Sequence, residues 1–152
     1  MRSSRRSASR SPKRAAHDPE RSDVPEKTVV RTDNAPAPFR GAPYSQAIRY
    51  GDLLFVAGQV ALPIGHEHIV GETIEEQTEQ VCQNLKAILE AAGSSFEQVL
   101  NTTIYLTDFA DFAGLNEVYG RYVGDNPPAR ATIQIAGLPM GAKVEIAVVA
   151  HI

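Results

Sequence analysis

The chain has 152 residues, 43% of them hydrophobic and 22% charged, which is the size and composition of one globular domain. Mean hydropathy is -0.21 and no apolar run approaches the roughly 18 residues needed to cross a bilayer, so a membrane span is excluded. The single cysteine, Cys82, has no partner for an internal disulfide, and no apolar leader-like stretch lies near the N-terminus. A reducing, cytoplasmic setting is expected.

The net charge of -3 hides a split between two segments. Residues 1–26 carry seven basic and four acidic side chains, for +3, whereas residues 27–152 carry eight basic and fourteen acidic ones, for -6. An acidic body suits a nucleic-acid phosphate backbone poorly, so nucleic acid is not an expected partner. The tail offers only Met1, Ala8, Ala15, Ala16 and Val24 as apolar residues, too few to offset the entropy of ordering it, and is expected to be disordered. Its first sixteen residues hold six basic side chains, five serines and no acid, the composition of an organellar transit peptide. They lack the Leu, Ile or Phe of an amphipathic face, and a plain unstructured extension is the preferred reading.

Globular patterning starts at Lys27. Thr28, Val29 and Val30 form a β-branched run before a proline-rich loop, 36–43. Residues 45–50 and 53–60 flank Gly51-Asp52, which supplies the permissive backbone of a tight hairpin. Thr73 and Glu76 have capping-box spacing, and Val81, Leu85, Ile88 and Ala92 then recur with helical period, so a helix is predicted over 74–92 with Gly93 at its end. Residues 99–107 read as a strand. Asp111 is placed to cap a second helix carrying the apolar stripe Phe112, Leu115, Tyr119 and Tyr122, which stops near Gly124 before Pro127-Pro128. Residues 131–137 and 143–150 read as two closing strands. Helices inserted between strands require crossovers, so the expected fold is α/β (α+β): one domain, 27–152, with a mixed six-stranded sheet and two helices on one face. The uncovered face predicts an oligomer.

Familiar catalytic signatures such as a Walker A loop, G-x-G-x-x-G, G-x-S-x-G and paired cysteines are absent. His66 and His68 form an H-x-H pair without a further ligand at recognisable spacing, and read as a solvated loop; no metal is expected. Cys82 lies beside Val81 on the apolar side of the first helix and reads as a small hydrophobe. Arg130 stands at the mouth of an apolar strand, where it either pairs with a surface carboxylate or binds something else. Glu145 interrupts the valine-rich run K-V-E-I-A-V-V-A, where a carboxylate is paired, protonated, facing a cavity or exposed beside Lys143.

Four separated motifs bring these residues together: N-A-P with A-P-Y-S-Q-A (34–36 and 42–47), A-G-Q-V (57–60), F-A-x-L-N-x-x-Y (112–119), and P-P-A-R with L-P-x-x-A-K-V-E-I (127–130 and 138–146). On these the chain resembles the reactive-intermediate deaminase family (RidA/YjgF, also called the L-PSP endoribonuclease family) over residues 27–152. The resemblance implies a chorismate-mutase-like homotrimer with its sheets facing inward and three sites at subunit interfaces. It implies hydrolysis of small 2-imino acids, 2-iminopropanoate and 2-iminobutanoate, without a cofactor. In that reading Arg130 clamps the substrate carboxylate, Glu145 holds or activates water, and Tyr44, Gly58, Asn116 and Thr132 shape the pocket. Two departures bear on pocket polarity: Ala57 stands where many relatives have Ser, and Thr132 where several have Cys. A non-catalytic ligand-sensing or interaction trimer, and a ribonuclease as the older family name suggests, are the alternatives from other functional classes.

Overall fold

The computed structural model describes residues 24–152, so the expected disorder of the basic tail falls almost wholly outside the described residues. Six strands form one sheet: β1 (Lys27–Val30), β2 (Ala47–Tyr50), β3 (Leu53–Gln59), β4 (Val99–Leu106), β5 (Ala129–Gln134) and β6 (Val144–His151). Their order is β1-β2-β3-β6-β4-β5. All neighbours run antiparallel except β4 and β5, which are parallel. The two helices, α1 (Ile74–Ala91) and α2 (Phe112–Val123), make the crossovers from β3 to β4 and from β4 to β5. The mixed six-stranded sheet with two helices is therefore the arrangement that the hydrophobic pattern predicts.

Local chemistry sets the element ends. Gly51 takes φ 59 in the β2–β3 hairpin, a conformation that costs other residues a steric clash. At the start of α1 the capping box closes: Thr73 Oγ1 accepts from Glu76 N at 3.2 Å, and the Glu76 carboxylate accepts from Thr73 N at 3.1 Å and Glu72 N at 2.8 Å. Those backbone donors hold the Glu76 carboxyl below its ordinary range.

Two boundary expectations need correction. Asp111 does hold the N-cap position of α2, but its carboxylate accepts no capping hydrogen bond there; Asp108 instead accepts from Ala110 N at 2.8 Å and caps a short 3-10 turn leading into the helix. The penultimate strand starts at Ala129 rather than 131, because parallel pairing with β4 already begins at Asn101 opposite Ala129. Arg130 is thus a residue within β5, on the sheet's edge.

Strict alternation builds the core. Leu54, Val56, Ile104, Leu106, Val144, Ile146, Val148 and Ala150 point to one side, where Val81, Leu85, Ile88 and Leu89 of α1 and Leu115, Tyr119 and Val123 of α2 cover them. The opposite face has no cover among the described residues. Val29, Tyr50, Leu53, Phe55 and Ile133 lie there and stay large, apolar and exposed, Phe55 and Ile133 at 45% each.

Candidate active site

Glu145 belongs to the uncovered face, because its neighbours Val144 and Ile146 in β6 are buried on the helix side and strand residues alternate. Its side chain lies over Gly58, where β3 breaks register with β6 between Val56 and Gln59. A Cβ built on Gly58 would sit 2.8 Å from Cδ and 3.0 Å from Cγ of Glu145, so the missing side chain is what gives the carboxylate its place. The two residues share a cleft of about 300 Å³ with Phe39, Tyr44, Ala57 and Pro139. No hydrogen-bond donor or cation among the described residues meets the Glu145 carboxylate, and burial holds its carboxyl above the ordinary glutamate range. A carboxyl group so placed can exchange a proton with a bound molecule.

Tyr44 walls this cleft. Its phenol oxygen accepts from Phe39 N at 2.8 Å, and the two rings meet edge to face with centroids 6.2 Å apart. With the acceptor lone pair engaged, the phenol proton remains free to donate into the cleft.

Gln46 fixes the loop from which this wall is made, a role that periodicity gives no means of seeing. Buried to 4% exposure, its Oε1 accepts from Thr32 N at 2.8 Å, and its Nε2 donates to the carbonyls of Thr32, Ala35 and Pro36. One amide thereby satisfies four backbone groups of a segment that has no ladder partner. Asn84 does the same after β3, donating to the carbonyls of Val60 and Leu62. The side-chain amide in S-Q-A was the available signal, since a glutamine next to an apolar strand start needs internal partners if it is buried.

Arg130 lies elsewhere. It is the ladder partner of Thr102 in β4, and Glu145 is the ladder partner of Tyr105. Thr102 and Tyr105 are three residues apart in a continuous ladder, so the arginine and the glutamate occupy opposite faces of the sheet. On the helix side Arg130 meets α2: Nη1 donates to Asn116 Oδ1 at 2.8 Å, and Cζ stands 5.5 Å from the Phe112 ring centroid and 5.4 Å from that of Tyr119. No carboxylate pairs with it among the described residues, so the surface ion pair that the sequence left open is not formed. Thr132 points to the same side two residues on, and its Oγ1 is buried without a hydrogen-bond partner.

The six candidate residues thus fall into two groups. Tyr44, Gly58 and Glu145 converge on the uncovered face; Arg130, Asn116 and Thr132 converge on the rim beside α2. Cys82 joins neither, being fully buried in α1 with its thiol pushed up to about 12 by burial, and His66 and His68 are exposed in the 63–70 loop.

Comparison with known proteins gives the lineage. A family model described as Endoribonuclease L-PSP matches residues 32–152. Reactive Intermediate Deaminase A, chloroplastic, of Arabidopsis thaliana is 44% identical over 145 residues, 95% of this chain and 76% of its own. A RutC family protein of Pyrococcus horikoshii is 46% identical over 125 residues, 82% of this chain and 98% of its own. Among solved structures, RidA from the Antarctic bacterium Psychrobacter sp. PAMC 21119 superposes with a TM-score of 0.77 at 40% identity, covering 82% of this chain and 99% of that one. Escherichia coli TdcF with bound serine does so with a TM-score of 0.77 at 31% identity, covering 82% and 98%. A family match across four-fifths of the chain, together with relatives 44% and 46% identical, places this protein in the endoribonuclease L-PSP family, to which the reactive-intermediate deaminases belong.

Proposed function

We propose that the protein is an enamine/imine deaminase that hydrolyses small 2-imino acids, 2-iminopropanoate and 2-iminobutanoate, to 2-oxo acids and ammonia, and that it works as a homotrimer with sites between subunits. The observation that carries this reading is the separation of Arg130 from Glu145 by the thickness of their own sheet. One chain cannot apply both to one small molecule. A second copy can: β5 is an edge strand, so Arg130 stands at the rim, and the apolar face that bears Glu145 is the surface an oligomer would bury.

In such a site the guanidinium of Arg130 takes the substrate carboxylate and sets the C=N carbon over the Glu145 cleft of the neighbouring subunit. Glu145 accepts a proton from water as the oxygen adds to C2 and passes it to the imine nitrogen, giving a carbinolamine. It then takes the hydroxyl proton as the C2 carbonyl forms and delivers it to nitrogen as the C–N bond breaks, so that ammonia leaves and the carboxylate is regenerated. Water and imine are thereby converted to ketone and ammonia with no redox change, and no organic cofactor or metal is needed. Serine bound in TdcF supports a small carboxylate-bearing nitrogen compound as ligand, and the name of the Arabidopsis relative supports deamination of a reactive intermediate. Location in the cytoplasm is part of the proposal; the chloroplast named for the plant relative makes an organelle the competing outcome of a localisation experiment with the full chain.

The test is one preparation assayed three ways: ammonia and 2-oxo acid release from imino acids generated in situ, cleavage of RNA, and mass by light scattering. Imine hydrolysis by a particle of about three chain masses is the expected result. RNA cleavage without imine hydrolysis, or a stable monomer, would overturn it.

A further inference from the structure

The seat of Arg130 is more elaborate than carboxylate capture alone requires. Phe112, Asn116 and Tyr119 are spaced i, i+4, i+7 and so form one stripe of α2, and all three touch the same guanidinium. Each ring is braced from behind. Phe112 stacks on Phe109 with centroids 5.0 Å apart, and Phe109 N donates to Gln134 Oε1 of β5 at 2.8 Å. Tyr119, 3% exposed, donates its phenol proton to Oγ1 of the fully buried Thr102 at 2.9 Å.

Thr102 is Arg130's own ladder partner, so this bond ties the ring beneath the guanidinium to the strand beside the arginine backbone. We propose that Tyr119, held by Thr102, is a positioning residue that fixes the plane of the Arg130 guanidinium, keeping its Nε–Nη2 edge free for a substrate carboxylate while Nη1 stays on Asn116. The substrate part of this claim rests on the deaminase reading; the immobilisation of Arg130 does not.

The geometry also accounts for why the site needs such a device. An arginine on an edge strand has many rotamers to lose, and a carboxylate clamp is effective only if that loss is met before binding. A Tyr-to-Thr bond across the core is insulated from solvent and keeps the ring in place whether or not ligand is present.

The experiment compares the full-length protein with Tyr119→Phe, Thr102→Val and Thr102→Ser. The 15N relaxation of the Arg130 Nε–H reports the side chain directly and needs no substrate. Its order parameter is expected to fall from a rigid value of about 0.8 to below about 0.6 in Tyr119→Phe and Thr102→Val, and to be restored in Thr102→Ser, which keeps the hydroxyl. With imino acid as substrate, KM should rise about fivefold in the first two variants, the worth of one neutral hydrogen bond, with kcat changed by less than about twofold. Partial unfolding would lower apparent kcat and leave KM alone, so the split separates positioning from mere stability. An Arg130 Nε that stays rigid in Tyr119→Phe overturns the proposal whatever the protein's activity. Loosening of Arg130 without any rise in KM would overturn its link to substrate, and failure of the unaltered protein to hydrolyse imines would overturn the deaminase reading while the relaxation result still decides the role of Tyr119.

Discussion

Glu145 fills the space in which a side chain on Gly58 would stand: the glycine Cβ position lies 2.8 Å from the glutamate Cδ. The backbone at Gly58 is not in the left-handed region, so alanine meets no conformational barrier there. What it meets is the carboxylate end of a flexible side chain. Gly58→Ala should therefore fold and melt within about 3 °C of the parent, while Glu145 swings out of the cleft and kcat falls by about 10- to 100-fold. Thermal melting and initial rates on the same sample check both halves.

The raised pKa of Glu145 gives a signed prediction. A carboxyl that holds its proton more tightly when folded contributes stability that is complete below about pH 4.5 and is lost as pH rises through the raised folded-state value. Glu145→Gln removes the ionisation, so it should melt with the parent at about pH 4 and above it at about pH 8. The same substitution removes the proton acceptor and should lower turnover by about 100-fold or more. Near-normal turnover would mean that backbone groups, not the carboxylate, position the water.

Arg130→Lys keeps the charge and loses the shape. An ammonium presents a point charge without two parallel donors and stacks poorly between the rings of Phe112 and Tyr119. The expected cost is about 2 to 4 kcal/mol in kcat/KM for an imino acid, roughly 30- to 1000-fold, with little change in melting temperature because Arg130 is exposed. A lysine variant close to the parent would make Arg130 a residue of the fold and not of the chemistry.

Much of this was legible from residue pattern. The capping box at Thr73 and Glu76, the Gly51 hairpin and the burial of Val81, Leu85 and Ile88 follow from rules acting over a few residues, and the structure has them where the pattern puts them. Asp111 misled because Asp108 and Asp111 both have cap chemistry, and a 3-10 turn at Phe109–Asp111 lets the earlier one act. The start of β5 was misplaced because parallel pairing with β4, not local propensity, sets it. Within the site, Arg130 and Glu145 stand out as charges on apolar strands, but the parity that sets them on opposite faces depends on strand order and register, which the sequence does not display. The roles of Gln46 and Thr102 were hidden for a related reason: a buried polar side chain announces itself only through partners brought from elsewhere in the chain.

The most direct test of an interface site is subunit mixing. Glu145→Gln and Arg130→Ala each remove one half of the site and should each be nearly inactive alone. When the two variants are unfolded together at equal concentration and refolded, each site draws its arginine from one chain and its glutamate from another, so about one quarter of sites in random trimers regain both residues. Recovery of about one quarter of parental activity is expected in the mixture, and none when both substitutions are carried on the same chain and refolded alone. A mixture no more active than its two components, with trimers demonstrably exchanged, would contradict it, because Arg130 and Glu145 would then have to act from within one chain or not act together at all.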